Sequence, residues 1–541
     1  MLGDPVVGPE FHDRDAILQM LGRRMDNFKR NTRRNIALIG QRKSGKTSIM
    51  FQFMLSMQDD VLPVYVYLSI ENGYKFIEKF SSAILYAYLK SLKLSGISSQ
   101  KPKELLRTAM KYCPETVASI DMALETRETD MSRSFEQLVN IPSIFSKETN
   151  SKPIIILDEF QRLVDYNYTS AIDIFRENIM QQPDVWWIIS GSSIGMMQRL
   201  VSEADSPLYS HFEKVFVPPF DYENSRQFIK MKFKKDDLVI GDVNTSLLVS
   251  ISGGYPFYLD ILTFAISDLA IERGHKKISN IHIIDAIANE LFSTQGTLYS
   301  HISEFIEISL DRRGFATYID LMVAIAKGAH TSSEIARDAH IPASSLSRYL
   351  RNLIETGILR KNGSAYTLID PLLKLWLKYV FTLREDDYIP EIGIKLDMFK
   401  SNIEQMITAY KQENGKGVES RVRELFRAFD GRISLHEKKL PKFDEVEQRV
   451  IQGDEFDIAA QYKKGYWLAE VKTSPVSSKM VRAFASKVAR SNMKVEEKVM
   501  IATSGIDSKA ISLAIEEGMW VWGIEDVNFL MKLYEKFPIL M

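Results

Sequence analysis

The residues from Gly40 to Thr47, GQRKSGKT, have the types and the spacing of a phosphate-binding loop. In such a loop, backbone N–H groups surround the phosphates, a lysine reaches the β- and γ-phosphates, and a hydroxyl group ligates Mg²⁺. The sequence therefore predicts that Lys46 binds phosphate and that Thr47 binds Mg²⁺. The residues expected to contact ATP here are Gly40, Gln41, Arg42, Lys43, Ser44, Gly45, Lys46, Thr47 and Ser48.

Two acidic residues, Asp158 and Glu159, follow the apolar run Ile154 to Leu157. A buried strand that ends in two acids is typical of the strand that completes a P-loop nucleotide site. Asp158 would hold Mg²⁺, and Glu159 would orient and deprotonate the attacking water. The alternative is a strand followed by a helix N-terminus, where acids favour the helix dipole. Because the loop and the acids occur together, we favour catalysis.

The next apolar run ends in Ser190-Gly191-Ser192-Ser193. A polar side chain that leaves the sheet beside the acidic strand can sense the γ-phosphate, and Ser192 is our choice, with Ser193 as the alternative. A serine that caps the following helix is an equally good interpretation. The position of this strand after the acidic one predicts a P-loop class with an extra central strand and a catalytic glutamate.

A second group with chemical potential lies near the C-terminus, where Asp457 is followed by Glu470 and Lys472. Side chains two apart on a strand share a face, so Glu470 and Lys472 should point together, and Asp457 on the neighbouring strand can join them. The two carboxylates would hold Mg²⁺, and Lys472 would activate water or stabilise a phosphorane. A solvated strand or an inert DNA-binding relic is the alternative.

The segment from Thr331 to Leu368 has helix-turn-helix spacing followed by a two-strand wing around Asn362-Gly363. Its second helix would bury Leu346, Leu350, Leu353 and Ile354. Ser344, Ser345, Ser347, Arg348, Arg351 and Asn352 would then face the major groove of DNA, and Lys361 on the wing would contact phosphate. A winged helix used only for protein contacts is the alternative.

Taken with these motifs, several further segments resemble the archaeal ATPase family within the AAA-related STAND P-loop ATPases. They are the box Phe11 to Arg14, LDEFQ, SGSSIGMM, SPLY and GGYPFYL. The resemblance implies that Arg14 and Pro256 lie near the nucleotide. Family members usually continue SPLY with Gly-Arg, whereas Ser210-His211 stands here. The arginine finger is therefore unassigned, and a homo-oligomer or another partner would supply it.

The spacing D-x12-E-x-K of Asp457, Glu470 and Lys472 resembles the PD-(D/E)xK restriction-endonuclease superfamily. Glu419 on the preceding helix matches the extra acid of archaeal Holliday-junction resolvases, and the order helix, three strands, helix, strand also fits. The resemblance implies Mg²⁺-dependent DNA cleavage. The stretch Lys472 to Lys498 would add a basic face for DNA, formed by Lys472, Lys479, Arg482, Lys487, Arg490, Lys494 and Lys498.

The elements that must position these residues form an α/β chain. Near-continuous apolar strands alternate with helices up to about residue 220, which is typical of a parallel sheet covered on both faces. We predict a P-loop ATPase core at 1–220, a helical lid at 221–312 and a winged helix-turn-helix at 313–384. A linker helix and a restriction-endonuclease-like α/β domain would occupy 385–541.

Composition sets the outer limits of the interpretation. The 541 residues include 69 basic and 70 acidic side chains and one cysteine. Near-neutrality argues against DNA binding over the whole surface, so any contact should be local, and the single cysteine excludes an internal disulfide framework. No apolar run is long enough to span a bilayer, and the first 15 residues carry acids early and contain no apolar segment typical of a secretion signal. We expect a cytoplasmic protein without membrane contacts.

Two functions compete on this evidence. The first is an ATP- and Mg²⁺-dependent ATPase coupled to DNA binding and DNA cleavage. The second is a nucleotide-switched regulator of the STAND type, with a DNA- or protein-binding winged helix and an inactive nuclease fold. The departure at Ser210-His211 favours the second, and the complete set Asp457, Glu470 and Lys472 favours the first.

Overall fold

The computed structural model describes residues 5–57, 60–69, 73–98, 101–166, 171–203, 206–310, 313–385 and 391–539. The chain divides into two compact units. The first runs to Pro219 and includes Glu355–Gly357, and the second comprises Phe220–Ile354 and the residues from Ile358 onward.

The first unit is built on a parallel sheet whose strands alternate with helices, as the hydrophobic pattern predicts. Its strands are β1 (Asn35–Ile39), β2 (Leu62–Tyr67), β3 (Pro153–Asp158), β4 (Trp186–Gly191) and β5 (Phe212–Phe216). Its helices are α1 (Asp15–Lys29), α2 (Lys46–Leu55), α3 (Gly73–Ser91), α4 (Pro102–Ala109), α5 (Pro114–Thr126), α6 (Met131–Thr149), α7 (Ala171–Met180) and α8 (Ile194–Ser202). Short 3₁₀ turns span Gly8–Glu10 and Phe160–Asp165.

The five strands described in this sheet lie in the order β2-β3-β4-β1-β5. All neighbouring pairs are parallel. Strand β4 therefore lies between the strand that precedes the phosphate-binding loop and the strand that ends in Asp158, which confirms the extra central strand. Because strands in a parallel sheet end at one edge, the loop, the acids and Ser192 are brought to the same edge.

Both faces of this sheet are buried, as near-continuous apolar strands require. Trp186 and Trp187 are adjacent in β4 and point to opposite faces. Trp186 packs with Phe28 and Phe53, whereas Trp187 packs with Phe80 and Phe175. Helices α4 and α5, which lie in the long insertion between β2 and β3, were not predicted from the sequence.

The second unit begins with helices that pack around one hydrophobic core, which continues into the winged helix and the long helix α19. The helices up to α19 are α9 (Tyr222–Lys235), α10 (Asp242–Ser252), α11 (Pro256–Glu272), α12 (Asn280–Ile287), α13 (Thr297–Ser309), α14 (Phe315–Ala326), α15 (Ser332–Asp338), α16 (Ala343–Glu355), α17 (Pro371–Leu375), α18 (Thr382–Arg384) and α19 (Ile392–Asn414). Ala288–Phe292 and Trp376–Phe381 are π-helical, and the wing consists of β6 (Leu359–Asn362) and β7 (Ala365–Leu368).

A mixed sheet completes the second unit, in the order β10-β11-β12-β13-β14 among the described strands. Strands β10, β11 and β12 are antiparallel neighbours, whereas β13 runs parallel to both β12 and β14. The elements are α20 (Val418–Ala428), β8 (Ser434–Leu435), β9 (Lys438–Lys439), β10 (Glu445–Ile451), β11 (Asp454–Tyr462), β12 (Gly465–Lys472), α21 (Ser478–Arg490), β13 (Val495–Ala502), α22 (Ser508–Glu516), β14 (Met519–Gly523) and α23 (Ile524–Leu533). The order helix, three strands, helix, strand that the sequence predicts corresponds to α20, β10 to β12, α21 and β13, whereas the short hairpin β8–β9 and helix α23 were not predicted.

Among the described residues, no helix is both long enough and apolar enough to cross a lipid bilayer.

Candidate functional site

The phosphate-binding loop connects the end of β1 to the start of α2. Gly40 passes so close to the backbone after β5 that a Cβ atom there would collide with the carbonyl oxygen of Val217. Gly45 has a φ of +93°, in the left-handed region that favours glycine, and α2 begins at the next residue. Both glycines are therefore required by local geometry. The loop leads directly into the N-terminus of α2, where backbone N–H groups attract phosphate.

Lys46 is almost fully buried, and its ammonium group is bonded to the loop itself. It donates hydrogen bonds to the carbonyl oxygens of Gly40 and Gln41, at 2.7 and 2.9 Å. Burial lowers the pKa of Lys46, although the nearby carboxylates of Glu159 and Asp158 oppose that effect. To reach a phosphate, the ammonium group must exchange these two carbonyls for phosphate oxygens.

Asp158 joins the loop to the central strands. Its carboxylate accepts hydrogen bonds from the hydroxyls of Thr47 and Tyr65, each at 2.9 Å. It also accepts from the hydroxyl of Ser190 and from the backbone N–H of Glu159. Burial and the Asp158 carboxylate raise the pKa of Tyr65, so this phenol remains a donor. Asp158 is thus held in one orientation by four donors.

The oxygens of Thr47 and Asp158 fit a Mg²⁺ ion. Mg²⁺ in nucleotide sites is held by one or two protein oxygens together with water and phosphate oxygens. The Thr47 hydroxyl and the Asp158 carboxylate are already adjacent, as their 2.9 Å hydrogen bond shows. The donor set is therefore appropriate for a hard divalent cation.

Glu159 lies at the turn that leaves β3, with a left-handed backbone at φ 57°. Its carboxylate accepts a 2.6 Å hydrogen bond from Ser192 and a further one from the amide of Gln161. Burial alone would raise the pKa of Glu159. The charge of Lys46 and the hydrogen bonds from Ser192 and Gln161 outweigh burial, and the net pKa is lowered. Glu159 is therefore ionised at neutral pH, as a general base must be.

Gln161 and Ser192 form a small polar group with Glu159. The amide nitrogen of Gln161 lies 3.3 Å from the Ser192 hydroxyl as well as bonding Glu159. Its amide oxygen is buried and has no hydrogen-bond partner among the described residues. Sequence reasoning missed Tyr65, Gln161 and Ser190. Gln161 lay within the quoted motif LDEFQ and Ser190 began the quoted motif SGSSIGMM, but neither was given a role, and Tyr65 lay in no quoted motif.

The two residues that the family resemblance placed near the nucleotide have different settings. Arg14 is 8% exposed, and its guanidinium donates to the carbonyl oxygens of Ser44, in the loop, and of Pro218, at 3.3 and 2.6 Å. These hydrogen bonds hold Arg14 against the backbone of the phosphate-binding loop. Pro256 is the first residue of α11, in the second unit. Its nearness to nucleotide stays a prediction.

The winged helix has the predicted elements, and a capping box at Thr331 and Glu334 begins α15. Along α16, Leu346, Leu350 and Leu353 are buried, whereas Ile354 is only partly buried against the same core. The predicted contact residues that are exposed are Ser344, Ser347, Arg348, Arg351 and Lys361, whereas Ser345 and Asn352 are half-buried. The amide of Asn352 donates to the Tyr318 hydroxyl, so this side chain is already engaged within the domain. Sequence periodicity alone does not reveal such a partner.

The C-terminal carboxylates occupy the predicted strands. Asp457 lies on β11, and its carboxylate accepts a 2.8 Å hydrogen bond from the backbone N–H of Val471 in β12. Burial raises the pKa of Asp457, and the charges of Glu470 and Glu419 act in the same direction. Glu419 is exposed on α20. The structure thus brings Asp457, Glu470, Lys472 and Glu419 within electrostatic range of one another.

Glu470 is only 7% exposed and is paired with two lysines. Lys472 donates to Oε1 at 2.8 Å, and Lys487 from α21 contacts Oε1 and Oε2 at 3.0 and 2.9 Å. A divalent cation at Glu470 would have to displace Lys487. Within the described ranges, no group of three histidine, cysteine or acidic side chains is arranged to hold a metal ion. Because Lys472 and Lys487 together occupy both of its oxygens, Glu470 does not offer Mg²⁺ an unpaired oxygen in the observed arrangement.

The predicted basic face from Lys472 to Lys498 is largely paired. Arg490 forms a bidentate ion pair with Asp454, with hydrogen bonds of 2.8 and 2.9 Å. Lys494 pairs with Glu496 at 2.6 Å. Lys498 donates to the carbonyl oxygen of Glu517. Lys472 and Lys487 are committed to Glu470, so Lys479 and Arg482 remain as exposed cations. Sequence counting found the charges but not their partners.

Comparisons with known proteins agree with the fold. Residues 11–262 match the model of an ATPase domain predominantly from Archaea, and residues 321–363 match the IclR helix-turn-helix domain. The fold and the site thus define a P-loop ATPase-type domain followed by a helix-turn-helix.

Individual relatives are distant. An uncharacterized protein of Methanocaldococcus jannaschii is 25% identical over 330 residues, which are 57% of this chain and 64% of that relative. The chain thus matches less than two thirds of that relative's length. A Walker-type ATPase of Pyrococcus abyssi superposes with a TM-score of 0.50 at 20% identity, over 70% of this chain and 99% of its own. At that identity the similarity establishes the fold. The ORC2 protein of Aeropyrum pernix gives a TM-score of 0.45 at 12% identity, over 75% and 98% of the two chains.

Proposed function

We propose that the chain is a Mg²⁺-dependent ATPase in which Glu159 is the general base. The observation that carries the proposal is the joining of loop and acidic strand through Thr47 and Asp158, with an ionised Glu159 beside them. Lys46 would bind the β- and γ-phosphates, Glu159 would accept the proton of the attacking water, and Ser192 would keep Glu159 oriented. Mg²⁺ would supply charge neutralisation at the phosphates.

The test of this proposal is nucleotide binding and turnover by the full chain. Lys46→Ala should lose nucleotide binding, measured with a fluorescent ADP analogue, because the loop loses its phosphate ligand. Lys276→Ala removes an exposed lysine elsewhere and should bind as the wild type does. Unchanged affinity in Lys46→Ala would reject the loop as the nucleotide site. Chelation of Mg²⁺ should abolish turnover.

We further propose that the winged helix binds DNA through the exposed residues Arg348, Arg351 and Lys361. The support is that α16 presents an arginine pair on the face opposite its buried leucines, as a recognition helix in a major groove does. Arg348 lies over the ring of Tyr349, with its guanidinium carbon 5.0 Å from the centroid, which limits its conformational freedom. Contact with protein rather than DNA is the competing outcome of the binding experiment described below.

DNA cleavage by the C-terminal domain is the second candidate function. The mixed sheet, the order of its elements and the placement of Asp457, Glu470 and Lys472 favour a restriction-endonuclease-like fold. The pairing of Glu470 with Lys487 favours the alternative, in which this fold is inert and the protein acts as a nucleotide-switched regulator.

One experiment separates the two. Branched, single-stranded and duplex DNA are incubated with the protein and Mg²⁺ or Mn²⁺, with Asp457→Ala as the control. Cleavage that disappears in Asp457→Ala supports the nuclease. Cleavage that survives the substitution rejects this site, and absence of cleavage supports the regulator.

A trans-acting arginine is the remaining element of the proposal. An arginine finger accelerates hydrolysis by orders of magnitude, and Ser210-His211 stands where related sequences carry Gly-Arg. We propose that a second copy of the chain or another protein supplies this charge. Turnover per protein should then rise with protein concentration, or on addition of the partner, and a constant specific rate across concentrations would reject self-association as its source.

A further inference from the structure

A cavity of about 600 Å³ lies within the second unit and is lined by residues of that unit. Its wall is formed by α10, the segment that follows β7, α19 and the C-terminal helix α23 with the residues after it. The volume lies within the range of small-molecule sites, about 300 to 1,000 Å³. The site is therefore large enough for a ligand of nucleotide size.

The cavity is strongly basic. Four lysines line it, against the single carboxylate of Glu535. Glu535 is already paired with one of them, Lys378, at 3.1 Å. Within the described residues, no hydrogen bond or ion pair of the side chains of Lys374, Lys532 and Lys536 is present. Like charges on a concave wall repel one another, so this arrangement favours the approach of a negatively charged group.

Lys532 illustrates the cost of this arrangement. Its side chain is accessible, yet protein surrounds it on most sides, as expected for a group on a cavity wall. Burial, together with the positive charges of Arg360 and Lys374, lowers the pKa of Lys532 to about 8 against the weaker opposing effect of Asp370. Asp370 is itself engaged by the Tyr258 hydroxyl, at 2.5 Å, and by two backbone N–H groups.

The rest of the wall suits an organic phosphate. Aromatic rings from Tyr222, Tyr379 and Phe537 provide flat apolar surface, and Asn402 and Gln405 provide amide groups. Gly253 and Gly254, at the turn before α11, also line the cavity. Gly254 has a φ of +75°, and a Cβ atom there would collide with the carbonyl oxygen of Phe220. At this turn the cavity wall is therefore formed by closely packed backbone.

We propose that this cavity is a second ligand site, which binds a phosphate-bearing small molecule of nucleotide size through Lys374 and Lys532. Its phosphates would supply the negative charge that the wall lacks, and its organic part would lie on the aromatic surface. This site is distinct from the phosphate-binding loop and does not depend on ATP hydrolysis there.

The test uses the full chain with Lys46→Ala, which removes the loop as a competing phosphate site. Binding of ADP, inorganic tripolyphosphate and adenosine is measured by isothermal titration calorimetry. We expect saturable binding of ADP, weaker or equal binding of tripolyphosphate, and none of adenosine. Binding of tripolyphosphate as tight as that of ADP would identify a polyphosphate site, whereas binding of ADP alone would identify a nucleotide site.

Charge-removing variants decide whether the cavity is responsible. Lys374→Gln and Lys532→Gln should each weaken binding about tenfold or more, as expected when a charged hydrogen-bond donor to phosphate is lost. Lys276→Gln with Lys277→Gln removes two exposed lysines of the same unit and should change nothing. Since phosphate favours the charged lysine, affinity should also fall as the pH rises through about 8. This fall should be absent in Lys532→Gln.

Two results would overturn the proposal. One is the absence of saturable binding of both phosphate probes to the Lys46→Ala protein. The other is binding that the cavity variants leave unchanged. Circular dichroism accompanies each variant, and Lys532→Gln alters only an accessible side chain, so it remains decisive if Lys374→Gln does not fold.

Discussion

The hydroxyl of Thr47 donates a 2.9 Å hydrogen bond to the carboxylate of Asp158, 111 residues further along the chain. This contact unites the phosphate-binding loop with the acidic strand and places two Mg²⁺-compatible oxygens side by side. Because Asp158 also accepts from Tyr65 and Ser190, the arrangement is rigid before any ligand arrives. Rigid, preorganised charge is what phosphoryl transfer requires from a protein.

Replacing Asp158 by Asn should separate metal binding from folding. The amide oxygen of Asn still accepts from Thr47 or Tyr65, so the fold should persist. The lost negative charge weakens Mg²⁺ binding, and we expect turnover at saturating ATP to need a markedly higher Mg²⁺ concentration. The measurement is ATPase rate against Mg²⁺ concentration. An unchanged Mg²⁺ requirement would remove Asp158 from the proposed metal site.

The pH dependence of ATP turnover should report the setting of Glu159. Hydrogen bonds from Ser192 and Gln161 help to lower its pKa. A general base is active when deprotonated, so activity is lost as the pH falls through its pKa. Ser192→Ala removes one stabilising bond, raises this pKa, and should move the acidic limb of the rate profile to higher pH. An acidic limb at the wild-type position would show that Ser192 does not tune the base.

The stability of Asp457→Asn against urea should show whether this carboxylate stabilises or destabilises the folded state. Burial, together with Glu470 and Glu419, raises the pKa of Asp457 in the folded state. A carboxyl with a raised folded pKa destabilises the fold above its unfolded pKa and is neutral below it. Asn still accepts from the N–H of Val471. We therefore expect Asp457→Asn to raise the urea midpoint at pH 7 and to have little effect near pH 4. A lower midpoint at pH 7 would indicate a purely structural role.

Substitutions in α16 should test DNA contact directly. Removing an arginine that contacts base edges costs about 1–3 kcal/mol of binding free energy, and the loss of its positive charge also weakens binding to any duplex. Arg348→Ala and Arg351→Ala should each weaken duplex binding in an electrophoretic mobility assay, more strongly at low salt. Lys276→Ala serves as the control. Equal affinity of all three variants would indicate that the winged helix contacts protein.

The sequence predicted the parts of the ATPase site that depend on fixed spacing. The loop Gly40 to Thr47 and the pair Asp158-Glu159 are local patterns, and a parallel sheet necessarily brings them to one edge. Tyr65, Gln161 and Ser190 could not be predicted, because their roles depend on which strands become neighbours. The extra central strand was predicted correctly from strand order along the chain.

Charges were the least predictable feature. Counting found a basic stretch from Lys472 to Lys498, but Arg490 and Lys494 pair with Asp454 and Glu496. Conversely, Lys374 and Lys532 are far apart in the sequence, which does not predict their proximity, yet both line one cavity. Tertiary packing decides which carboxylate each cation pairs with. Charge patterns along the sequence therefore overestimate the number of unpaired surface cations and miss cations that come together from distant segments.

The most direct test of the central claim is the fate of ATP bound to Glu159→Gln. The protein is mixed with Mg²⁺ and limiting γ-labelled ATP, and the bound nucleotide is separated and quantified over time. Loss of a general base slows chemistry by about 10²- to 10⁴-fold, while Lys46 and Thr47 remain to hold the nucleotide. The account predicts that Glu159→Gln retains intact ATP while the wild type converts it to ADP. Conversion by Glu159→Gln at the wild-type rate would contradict it.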